Sequence, residues 1–127
     1  MVRRIPIIIA AALTGVIAAC NAPNPAAHFC ADYSEAVSKL YAAAGNYAAA
    51  PAEFATILDT TMDELSRIRA GAPDEDLRRA FDSAYFSLTV FSEDAALADF
   101  LARTDFTQDD VVIACSDYGI ELTPVAE

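Results

Sequence analysis

Phe29-Cys30-Ala31-Asp32-Tyr33-Ser34-Glu35-Ala36-Val37-Ser38-Lys39-Leu40-Tyr41-Ala42-Ala43-Ala44, closed by Gly45-Asn46, is the stretch that decides the fold class of this chain. Phe29, Tyr33, Val37, Leu40 and Ala44 recur every three or four residues, the period of an amphipathic helix. Gly45-Asn46 is a stop. The same period continues toward the C-terminus. Pro51 suits the first turn of a second helix, whose apolar face reads Phe54, Leu58, Met62, Leu65 and Ile68, with Gly71 and Pro73 ending it. A third helix is predicted from Pro73. Asp74, Glu75 and Asp76 fill its first turn, where the helix dipole favours acids, and Leu77, Phe81, Ala84, Leu88 and Phe91 form its stripe. Ser92 either caps a shorter segment over 93–102, turning Leu97, Phe100 and Leu101 inward, or marks a kink in the third helix. Thr107-Gln108-Asp109-Asp110 reads as the capping box of a last helix, with Asp110 reaching back to the cap. Val111, Val112, Cys115 and Tyr118 follow. Gly119 suits the left-handed closing position, and Ile120 is placed to fold back on Cys115.

Charge spacing supports the same reading. Glu35–Lys39, Asp63–Arg67, Asp74–Arg78, Glu75–Arg79 and Asp99–Arg103 are all acid-then-base pairs four residues apart, the order that favours a helix. The expected fold is therefore all-α, a small up-down bundle of about four helices. Such a bundle brings the start of the first helix and the end of the last together, and with them Cys30 and Cys115. A disulfide there would contribute about 4 kcal/mol by restricting the unfolded chain. The other possibility is a pair of free buried thiols. No close cysteine spacing points to zinc or redox work.

The chain has 127 residues, 19 acidic and 8 basic, for a net charge of −11. That balance speaks against nucleic acid and against a polybasic lipid-binding patch. Upstream of the helices, residues 21–29 hold two prolines and two asparagines and read as an extended tether. Ahead of it, Arg3-Arg4 precede an uncharged run over 5–19, the pattern of a secretory signal and too short for a comfortable membrane span.

That run ends Ile17-Ala18-Ala19-Cys20, which resembles the lipobox of bacterial lipoproteins at all four positions. The resemblance implies a diacylglyceryl group on Cys20, cleavage before it, and a protein anchored in the bilayer on the extracytoplasmic face of the cell membrane. The alternative is an ordinary signal cut after Ala19, leaving Cys20 a plain thiol. The mature chain also resembles small Ala-rich helical lipoproteins of actinobacteria, through Cys30, Cys115 and Gly119-Ile120. In many of those a Gly follows the second Cys directly, whereas Ser116-Asp117-Tyr118 intervene here. The organisation expected is a signal over 1–19, a lipidated Cys and tether over 20–29, and a helical domain over 30–127.

Material for chemistry is sparse. The one His, His28, lies in the expected tether, which would not hold a catalytic group rigidly. The acids are explained by solvated faces and helix starts. The run Glu93, Asp94, Asp99, Asp105, Asp109, Asp110, Asp117, Glu121 and Glu127 would attract a cation or a basic partner, but carries no calcium-loop motif. No metal or cofactor is expected. Tyr33 and Tyr85, with Tyr41 and Tyr47, are the candidates to line a pocket between helices, and a Tyr can ligate haem iron. The expected function is a non-catalytic interaction or accessory module in the envelope with a protein partner. The alternative is a carrier of a small apolar ligand or haem, and a small hydrolase built on paired carboxylates ranks last.

Overall fold

The structure, a computed structural model, describes residues 24–124. The expected signal and Cys20 lie outside the described residues. Those described are all-α, with five helices: α1 Pro25–Gly45, α2 Pro51–Ile68, α3 Glu75–Thr89, α4 Asp94–Thr104 and α5 Asp110–Asp117. Short 3₁₀ turns at Arg69–Gly71 and Phe106–Gln108 extend α2 and precede α5. None of these helices is long and apolar enough to cross a membrane.

The long α1 is the spine, packed on α2, α4 and α5, while α3 packs on α5. It begins five residues earlier than the expected domain boundary at Cys30. Asn24 caps it, its side chain accepting from Ala26 N at 2.9 Å, and Pro25 occupies the first turn, where its missing N–H costs nothing. The expected tether over 20–29 is thus helix from Pro25 onward, and Phe29 within it is buried. The Asn and Pro that read as breakers are a helix start.

Cys30 and Cys115 form a disulfide, with Cα atoms 6.2 Å apart. Around it lies the first of two apolar clusters: Phe29 and Tyr33 from α1, Leu65 from α2, Leu77 and Phe81 from α3, and Val111 from α5. Phe81 is its centre, meeting Phe29 and Tyr33 at centroid distances of 6.1 and 6.0 Å. The second cluster, at the other end of α1, joins Leu40 and Ala44 to Phe54 of α2 and to Leu97, Ala98 and Leu101 of α4. Tyr41 and Leu88 touch both.

The remaining boundaries follow local chemistry. The segment over 93–102 is a separate helix, α4, and its N-cap is Glu93 rather than Ser92. Asp74 lies outside α3 as its cap, accepting from Leu77 N at 2.9 Å. The C-terminus of α5 closes as expected. Gly119 has φ 80°, and the N–H groups of Gly119 and Ile120 donate to Ser116 O and Cys115 O at 2.9 and 3.0 Å. Of the spaced charge pairs, Glu75–Arg79 and Asp99–Arg103 form, while Arg78 takes Glu75 in place of Asp74. Arg69 reaches across from the end of α2 to grip Asp82 of α3 through two N–H groups, at 2.7 and 2.8 Å.

Candidate functional site

The expected capping box is displaced by two residues. Thr107 sits in the 3₁₀ turn Phe106–Gln108, and Asp109 is the N-cap of α5. Its Oδ1 accepts from Val111 N at 2.8 Å and Val112 N at 3.4 Å. Asp110, assigned by sequence to reach back to the cap, instead accepts from Ser83 Oγ of α3 at 2.6 Å. The displacement comes from Asp105, which at φ 75° turns the chain sharply after α4 and inserts the extra 3₁₀ turn.

Asp109 is 7% exposed, and its second carboxylate oxygen faces α1. Tyr33 and Tyr41 lie eight residues apart, two helical turns on one face, and both hydroxyls donate to Asp109 Oδ2, at 2.8 and 3.0 Å. About 12 Å of helix rise separates their backbone positions, so the two side chains lean toward each other to meet on one carboxylate oxygen. Four donors thus converge on this side chain, filling the acceptor capacity of a carboxylate. Burial pushes the Asp109 carboxyl above its ordinary range, and the two phenols and two backbone N–H groups pull in the opposite direction. The Tyr33 and Tyr41 hydroxyls are held well above the ordinary phenol range, by burial first and by the Asp109 charge second.

Beside this triad opens a cavity of about 250 Å³ at the seam between the two apolar clusters. Val37 and Leu40 of α1, Ala84 and Leu88 of α3, and Phe100 and Leu101 of α4 form its apolar walls. Its polar end is Tyr33, Tyr41, Asp109 and Asp110, with Ser87, Thr104 and Gln108 completing the lining.

Of the tyrosines read from sequence, Tyr33 and Tyr41 line this cavity. Tyr85 stacks on Phe81 at 6.0 Å, outside the lining. Tyr47 meets Phe54 edge-on at 5.4 Å in the second cluster. His28 is an exposed residue of α1 facing Asp32 at 3.4 Å. Among the described residues no three His, Cys, Asp or Glu side chains converge to hold a metal ion. Sequence reading placed Asp109 inside a capping box headed by Thr107 and in an acidic run, not at the cap itself. Its signal was the pairing of an Asp with Val111-Val112, which buries the start of α5, and the i, i+8 placement of Tyr33 and Tyr41.

The described residues form a disulfide-closed bundle of five helices, and the site is its buried tyrosine–aspartate cap. The chain matches no family model, no curated protein and no solved structure.

Proposed function

We propose that the protein is a lipid-anchored envelope module, held by Cys20 on the extracytoplasmic face of the cell membrane and acting by binding rather than catalysis. One observation carries the reading. With Cys30 and Cys115 joined to each other, Cys20 is left alone among the three cysteines, at the end of a lipobox-like run. Structural disulfides persist in oxidising compartments, where an exported lipoprotein resides. Exposed apolar side chains support a role in protein contact: Phe86 in the last turn of α3 and Val90 at its C-cap are 67% and 49% exposed. The test is Cys20→Ser in the native host with membrane fractionation and fatty-acid labelling. Loss of label and release from the membrane pellet are expected. A variant that keeps both is incompatible with the anchor.

The cavity favours a second reading, a carrier or sensor of a small ligand. At about 250 Å³ it lies below the usual 300–1,000 Å³ of ligand pockets. It exceeds the roughly 150 Å³ that suffice for benzene in an engineered apolar cavity. The haem version finds no support here, because the Tyr33 and Tyr41 hydroxyls are both committed to Asp109.

A further inference from the structure

Hydrogen-bond direction at the seam cavity selects the kind of ligand it accepts. Tyr33 and Tyr41 spend their hydroxyl protons on Asp109, so toward the cavity their oxygens offer lone pairs only. Ser87 spends its proton on Ser83 O, at 3.2 Å. The Asp110 carboxylate adds acceptor oxygens at the rim, one of which already accepts from Ser83 Oγ. No Lys, Arg or His is among the lining residues, and the nearby Arg103 is engaged by Asp99. The fields acting on the Tyr41 hydroxyl come from Asp109, Asp110 and Asp105, all negative. The dipole of α5 points its positive end here, but at about half a charge it is outweighed by the two carboxylates at its start. Gln108 and Thr104 are the donors left, at the polar edge.

We propose that this cavity binds a small amphipathic cation: a primary ammonium group received by Tyr41 Oη and Asp110, and a ring or short chain lying between Leu40, Leu88, Phe100 and Leu101. This rests on the small-ligand reading above and names its chemical class. The apolar walls supply the driving force for the body of the ligand. The acceptor-rich end supplies selection, because a carboxylate ligand would meet two like charges and lone pairs with few donors to answer them. A cavity of this volume holds about ten non-hydrogen atoms, judged against the benzene case.

The test uses the full chain in non-ionic detergent, titrated with phenethylamine, phenethyl alcohol and phenylacetate, and followed through the methyl signals of Val37, Leu40, Leu88 and Leu101. Saturable shifts confined to these methyls are expected, with phenethylamine at least about tenfold tighter than the alcohol and phenylacetate without effect. Tyr41→Phe should weaken the amine about tenfold and the alcohol by a smaller factor, since a neutral O–H gives the lost acceptor a weaker bond. Asp110→Asn, at an exposed residue, should weaken it about threefold and gives an independent answer if Tyr41→Phe does not fold. Alcohol and amine binding equally tightly would overturn the cation selectivity and leave the small-ligand reading standing. No saturable shift with any of the three would overturn both. Shifts at Phe86 or Val90 in place of the cavity methyls would also overturn the site.

Discussion

The two ends of the bundle are built by different means. At one end, Cys30–Cys115 lies within an aromatic cluster around Phe81, and α1, α2, α3 and α5 all contribute to it. At the other, Leu40, Ala44, Phe54, Leu97, Ala98 and Leu101 form a smaller cluster with no covalent link, and α4 has its buried residues there alone. The stapled end joins segments far apart in sequence and has its unfolded state restricted by the crosslink. The open end depends on apolar burial only. Cooperative stability therefore belongs to the first end, and local opening is expected at the second, where α4 has the fewest reasons to stay.

The largest way to break this contrast is to remove the staple. The double variant Cys30→Ala, Cys115→Ala should lose about 4 kcal/mol in urea unfolding, since the crosslink closes nearly the whole domain. A loss under about 1 kcal/mol would mean that aromatic packing, not the crosslink, distinguishes the two ends. Next is Leu101→Ala, which should cost about 3 kcal/mol. Hydrogen exchange should then show α4 opening while the amides of α5 stay protected. Equal acceleration in both helices would make the two clusters one cooperative unit.

A smaller effect is expected at the seam. Asp109→Asn keeps an oxygen for the Val111 N–H but sets an amide N–H₂ or a single shared acceptor against two phenols, at a cost of about 2 kcal/mol. The phenols also set an alkaline limit. Their folded-state pKa values stand above the ordinary 10.0, so the stability they contribute is complete below pH 10 and is lost as pH rises further. There the unfolded chain releases protons that the folded one retains. Near-ultraviolet phenolate absorbance from Tyr33 and Tyr41 should appear only together with loss of helix, and at lower pH in Asp109→Asn. Ionisation of either phenol in a chain that remains helical would contradict the burial described for the triad. The smallest change is a gain. Asp105, at φ 75° and ψ 148°, occupies backbone space suited to glycine, so Asp105→Gly should stabilise by about 1 kcal/mol in the same urea assay.

The helices were legible because apolar spacing is local: the stripes Phe29–Ala44 and Leu77–Ala84 can be read without knowing their partners. The disulfide was legible at one remove, through the topology of a bundle. Boundaries failed where one residue type serves two ends. Asn24-Pro25 looks like a breaker and is a cap with its first-turn proline. Thr107 looks like a cap, but the unusual φ of Asp105 pushes the cap on to Asp109. The triad was hidden for another reason. Tyr33 and Asp109 are 76 positions apart, and hydrogen-bond direction at a seam between two clusters has no signature in spacing.

The early start of α1 has a consequence for geometry at the bilayer. With helix beginning at Pro25, four residues separate it from Cys20. On the proposed anchor this leash spans at most about 15 Å, roughly half the reach of the nine-residue tether expected from sequence. A leash so short confines the domain to a thin layer above the lipid. Its effective concentration toward a neighbour anchored in the same leaflet then rises as that layer thins. Contacts too weak to survive dilution in a test tube would be occupied there, so a pull-down from solubilised membranes would miss partners that crosslinking in the intact envelope would catch.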